Sequence, residues 1–247
     1  MISSVSAAGR AEGRATTRWD DIMQDLFGRL RDGAQGEWHR YTHHPFVLRL
    51  ADGTLEPERF RRFLIQDYLF LLQYARAGAL AIHKSDDVAA MRLAAEGVST
   101  LLAVELPLHV GFCAEWGLDE TRLAQEEPSI ELLAYGGFLL DRAQSGDLLD
   151  LQVALAACLV GYGEIGARLL SDPATRLDGN PFRAWIETYG GEKYQAVAQD
   201  GRRRLDALGE ARGAEARFGT LLRDFRLAVR LEAAFWDAGS RDAVPVP

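Results

Sequence analysis

Leu and Ala recur at intervals of three and four residues along nearly the whole chain, and no stretch alternates apolar and polar positions as a half-buried strand would. The pattern predicts helices near residues 18–31, 35–41, 57–83, 87–116, 129–144, 148–171, 181–208 and 214–237. The breaks have a chemical basis. Pro57 fits a first helical turn, where its missing N–H costs nothing; Ser129 and Asp147 can accept from free N–H groups at a helix start. Gly117 and the Ser145-Gly146 pair can end a helix. Pro107, inside the fourth helix, is expected to bend it. Gly190-Gly191 is expected to make a sharp corner within 181–208, because paired glycines reach backbone angles other residues avoid. His43-His44-Pro45-Phe46 reads as a turn before a short connector.

Composition strengthens the helical reading. Val, Ile and Thr make up only 28 of 247 residues, and Leu, Ala, Arg and Glu dominate. With no repeat and no shift in composition, the expected fold is all-α: a single-domain helical bundle over residues 18–239, with flexible tails at 1–17 and 240–247. The segment 148–171 is apolar on all sides over its first half, which marks it as a central helix whose polar groups need explaining.

Charge and cysteine usage narrow the function classes. A net charge of -8 argues against a nucleic-acid partner, which would be held by clustered Lys and Arg. Two cysteines, Cys113 and Cys158, are too few for a disulfide framework or a cysteine-built zinc site. Residues 1–17 lack an apolar run of the secretory kind, and the charge-free stretch 151–163 falls short of the ~20 apolar residues that cross a bilayer. These features point to a cytoplasmic protein with no membrane partner. Arg outnumbers Lys 26 to 2, a bias that carries no mechanism.

On the central helix, Cys158 and Tyr162 stand four apart and share a face, with Glu164 offset around it. Cys158 alone reads as a small inert core residue unless charged neighbours surround it. Asp67, Phe70 and Tyr74 form one stripe of a carboxylate and two aromatics. Glu232, Phe235 and Trp236 do the same on the last helix; each acid reads equally as half of a buried ion pair with Arg. Tyr135 and Tyr189 taken singly read as core tyrosines with bonded hydroxyls. Glu105 and His109 have i, i+4 spacing suited to a metal or to a simple helix pair. The Glu-x-x-His motif of helical di-iron sites is missing, as are a Gly-rich phosphate loop, Gly-x-Ser-x-Gly and a zinc ligand set.

Taken in order, several motifs resemble the TenA/thiaminase II family. They are His44-Pro45-Phe46, Asp52-Gly53-Thr54-Leu55, Gln66-Asp67, Glu105-x-x-x-His109, Cys158-x-x-x-Tyr162-x-Glu164-x-Gly166, Trp185-Ile186-x-Thr188-Tyr189-Gly190-Gly191 and Glu232-x-x-Phe235-Trp236. The resemblance runs from about His43 to Trp236 and favours the branch that carries a cysteine at position 158. It implies a haem oxygenase-like bundle without haem or other cofactor. It also implies a homo-oligomer, often a tetramer, and hydrolysis of aminopyrimidines such as aminomethylpyrimidine in thiamin salvage, with thiamin a slower substrate. By the same resemblance Cys158 is the nucleophile and Glu232 its acid/base partner. Asp67 grips the aminopyrimidine edge, Tyr135 and Phe235 contact or stack on the ring, and Tyr162 and Tyr189 complete the pocket. The family often has Tyr at the position of Phe70, so stacking there is retained and a hydroxyl is lost. Two other readings stay open: a non-catalytic pyrimidine-binding or regulatory protein, and a metal-dependent oxidase resting on Glu105, His109, Glu164 and Glu232.

Overall fold

The computed structural model describes residues 25–240, and every regular element among them is helical. The chain runs α1 (Leu26–Gly33), α2 (Gln35–Thr42), α3 (Pro45–Asp52), α4 (Pro57–His83) and α5 (Val88–Thr100). A π-helical turn (Leu101–Glu105) leads into α6 (Leu106–Ala114). Then come α7 (Glu120–Leu123), α8 (Ile130–Ser145), α9 (Leu148–Ser171), α10 (Arg183–Gly190), α11 (Glu192–Ala211) and α12 (Ala214–Ser240). The expected tails lie outside the described residues, except that Ser240 closes α12.

Capping chemistry sets most boundaries. The Ser129 hydroxyl accepts from the Leu132 N–H, and Asp147 with Asp150 forms a reciprocal capping box at the start of α9. The helix α3 replaces the expected turn and connector. Its start and stop signals are local: His44 accepts from the Phe46 N–H, Pro45 occupies the first turn, and Gly53 ends the helix at φ 76°.

Two further expectations change in detail. Pro107 does not simply bend a helix spanning 87–116. The Leu106 N–H reaches back to the Leu101 carbonyl, so one wider turn precedes the proline and splits the segment into α5 and α6. The stretch 181–208 divides at Gly191, but this residue is extended at φ −72°, ψ 156°, an angle open to any residue. Glycine is needed here for proximity: a Cβ on Gly166 would lie 2.3 Å from the Tyr189 backbone carbon, and one on Gly190 would lie 2.6 Å from the Gly166 carbonyl oxygen. The two backbones therefore touch, and α10 lies flat on α9.

The helix α9 is central, packed by α10, α11, α12, α8 and α4. Two apolar stretches are long enough to cross a bilayer by composition, but their settings differ. In Leu148–Ser171 the apolar window is 67% buried by neighbouring helices; in Val88–Ala114 it is 22% buried, and α5 has no fully buried residue.

Candidate active site

The carboxylates and the thiol flagged in the sequence converge beside α9. From α9, the Cys158 thiol lies beside the Glu232 carboxyl on α12, close enough for each to shift the other's proton affinity. From α8, the Tyr135 hydroxyl donates to Glu232 Oε1 at 2.8 Å. Cys158 keeps some accessible surface and faces this polar group, so the inert-core reading fails. Burial pushes its thiol well above the ordinary range, and the charges of Glu232, Asp67 and Glu105 push it further. Glu232 is itself raised to about 8, by burial first and the Asp67 charge next, while the bond from Tyr135 and the neighbouring Cys158 thiol pull it down. The resting site therefore holds a neutral thiol and must pass its proton on to make a nucleophile.

Asp67 on α4 is also buried, and its partner lies 42 residues away. His109 Nε2 meets Asp67 Oδ2 at 2.7 Å, and His109 Nδ1 meets the Glu105 carbonyl oxygen at 2.9 Å. A carbonyl can only accept, so Nδ1 carries hydrogen, and the Nε2–Oδ2 contact holds one further proton between the two side chains. Burial lowers the His109 pKa, but the Asp67 bond and charge outweigh it and leave the ring raised. With Oδ2 engaged, Asp67 keeps one oxygen, Oδ1, without a partner among the described residues. Oδ1 is therefore the oxygen that Asp67 offers to accept a hydrogen bond from a ligand.

Aromatic rings close the chamber. Phe70 stacks on Tyr135, with centroids 4.6 Å apart and planes 27° apart, and Phe235 lies 5.7 Å from Phe70. One face of Tyr135 is thus already covered by Phe70. Tyr162 lies 5.1 Å from Tyr189 and 5.5 Å from Trp236. The hydroxyls of Tyr162 and Tyr189 make no hydrogen bond among the described residues, which leaves them free for a ligand. Tyr74 and Tyr194, outside the expected set, brace the wall by donating to the carbonyls of Leu155 at 3.4 Å and Leu159 at 3.2 Å.

A cavity of about 430 Å³ adjoins this chamber between α4, α5, α9 and α11. Tyr74, Glu105, Leu155 and Leu159 line it, the last two flanking Cys158 along α9. A surface cleft of about 480 Å³ lies on the opposite face of α12, around His39, His43 and Asp237, and holds none of the groups above.

Glu164 does not join the site. It accepts from Trp38 Nε1 at 2.8 Å and lies 3.6 Å from Arg31, so the set Glu105, His109, Glu164 and Glu232 is not brought together. Among the described residues no three His, Cys, Asp or Glu side chains are placed to hold a metal ion. His109 is a partner of Asp67 instead.

The profile of the TENA/THI-4/PQQC family matches residues 31–243. The chain belongs to this family. An aminopyrimidine aminohydrolase from Halalkalibacterium halodurans is 35% identical over 210 residues, covering 84% of this chain and 92% of that protein. A TenA family transcription regulator from Silicibacter sp. TM1040 superposes with a TM-score of 0.82 at 41% identity, covering 89% of this chain and 98% of that one. A Shewanella denitrificans domain with a heme oxygenase-like fold superposes with a TM-score of 0.68 at 13% identity, covering 87% and 91%, which places this TENA/THI-4/PQQC chain in the same all-α architecture.

Proposed function

We propose that the protein is an aminopyrimidine aminohydrolase of the thiaminase II type, converting aminomethylpyrimidine to hydroxymethylpyrimidine in thiamin salvage. The observation that carries this reading is a thiol, Cys158, set beside a buried carboxyl, Glu232, that the Tyr135 hydroxyl holds at 2.8 Å inside an aromatic chamber. The name of the Halalkalibacterium halodurans relative supports it.

The residues divide the work. A pyrimidine ring lies against Phe235 and the Tyr135–Phe70 stack, Asp67 Oδ1 accepts from its exocyclic amine, and the hydroxyls of Tyr162 and Tyr189 hydrogen-bond to its edge. Stacking of this kind adds on the order of 1 kcal/mol beyond area burial. Glu232 takes the thiol proton and delivers it to the ring nitrogen, which makes the ring electron-poor as the sulfur becomes nucleophilic. The sulfur adds at the adjacent ring carbon, the group on the exocyclic methylene leaves, water takes its place, and the sulfur departs. Side chains and one water are the groups these steps use.

Purified protein incubated with the aminomethylpyrimidine should release ammonia, and Cys158→Ala should abolish the release. Calorimetric binding with intact ligand recovered would instead identify a pyrimidine-binding protein, a reading supported by Phe70, whose ring offers no hydroxyl to a bound pyrimidine.

The protein is further proposed to act in the cytoplasm as a homo-oligomer, often a tetramer in this family, without nucleic-acid or membrane partners. Support comes from the net charge of -8 and from outward-facing Val88, Leu102 and Val104 around α5 and the π turn. Sedimentation that finds a monomer at micromolar concentration contradicts the oligomer.

A further inference from the structure

Glu105 is the one carboxyl of the chamber that the reaction above leaves unused. It closes the π turn at the wall of the 430 Å³ cavity, four residues before His109, and its carboxyl group makes no hydrogen bond or ion pair among the described residues. Its charge nevertheless reaches into the chamber: it acts on Cys158, Tyr74, Tyr189 and Tyr194. A π turn costs helix regularity and is often found where a side chain must be re-aimed at a site. An acid without a partner, set between the thiol and an adjoining void, is placed for the part of the substrate that leaves.

We infer that Glu105 is the leaving-group acid and that the adjoining cavity receives the departing amine. The inference rests on the aminohydrolase reading. Hydrolysis exchanges a C–NH2 bond for C–OH and releases ammonia. The carbon–nitrogen bond breaks with its electron pair on nitrogen, so nitrogen must carry one added proton to depart as NH3. Glu105 and the amine hold that proton between them in the bound state. When ammonia leaves, Glu105 is the carboxylate, and it accepts the proton given up by the water that attacks the methylene carbon. Glu232 serves the ring nitrogen, and Glu105, at the cavity wall, serves the nitrogen on the methylene carbon. Burial raises the Glu105 carboxyl, and the Asp67 charge adds to this against the opposing pull of His109, in keeping with a group that stores a proton.

The test compares two substrates on wild type and Glu105→Gln: the primary aminomethylpyrimidine and its quaternary trimethylammonium analogue, which departs as trimethylamine without an added proton. For Glu105→Gln, kcat on the primary amine should fall at least 100-fold while kcat on the quaternary compound falls less than tenfold. Losses of equal size on both substrates overturn the assignment, and an unchanged kcat on the primary amine does the same. A wild-type protein that hydrolyses the primary amine but ignores the quaternary compound offers no leaving-group space in the cavity, which also overturns it. Wild type inactive on both fails at the aminohydrolase reading itself. As a check that does not depend on the variant's folding, kcat of the wild type across alkylamine leaving groups should vary little with their basicity; steep variation counts against an acid on this side.

Discussion

The Tyr135 hydroxyl donates to Glu232 Oε1 across 2.8 Å, a bond that favours the ionised carboxylate and so holds its pKa below where burial alone would set it. With Glu232 near 8, kcat/KM for the aminopyrimidine should rise with pH through that value, because the carboxylate is the form that accepts the thiol proton. Tyr135→Phe should move the rising limb to higher pH and lower the rate at neutral pH by about tenfold, in line with one proton-transfer contact. A pH–rate profile of the two proteins decides it; a limb that stays in place, or shifts to acid, contradicts the assigned direction.

Stability should respond to pH through the same residue. A carboxyl raised from 4.5 to about 8 on folding contributes fully below pH 4.5, and its contribution is lost as pH rises through 8. The upper bound is about 5 kcal/mol, since each tenfold change in proton affinity is worth about 1.4 kcal/mol. Glu232→Gln should therefore melt at higher temperature than wild type at pH 8–9, with the gap closing toward pH 4.5, while losing activity. Calorimetric scans across this range measure the gap.

His109→Leu removes both the bond to Asp67 and the bond to the Glu105 carbonyl, leaving a buried carboxylate without its partner. Breaking such a pair costs about 3 kcal/mol, or about 6–12 °C in Tm for a chain of this size. His109→Gln, which keeps a donor toward Asp67, should recover part of the stability. Both should raise KM for the aminopyrimidine more than they lower kcat, because Asp67 holds substrate and the sulfur chemistry lies elsewhere.

Gly166→Ala should destabilise by about 3 kcal/mol, at the severe end for overpacking, because the new methyl group meets Tyr189 backbone with no flexible side chain to yield. Urea unfolding midpoints measure the loss. The same variant should weaken substrate binding through Tyr189, which sits directly over the contact.

Periodicity and caps made the bundle legible, since long amphipathic helices such as α4, α9 and α12 depend on local spacing. The converging faces were legible too: Cys158 with Tyr162, Asp67 with Phe70, and Glu232 with Phe235 are each set by helical geometry within one element. What could not be read is what two elements do to each other. The Asp67–His109 bond joins residues 42 apart, and Glu105 gains its place from a turn whose extra residue leaves no mark in a pattern of apolar positions. The short helix α3 was legible in principle: His44, Pro45 and Gly53 are a start and a stop, but eight residues between them carry too little periodicity to outweigh a turn reading.

The backbone seam at Gly166 and Gly190 gives the chamber one rigid side. Beneath Tyr162 and Tyr189 nothing can yield, so enlarging a side chain there moves main chain. Across the void the boundary is soft: Gly78 faces only the tip of Val98, and Gly201 only the tip of Leu159. Any drift or redesign toward bulkier departing groups must therefore be written into the side chains of Val98 and Leu159, while recognition of the pyrimidine itself stays anchored to the seam.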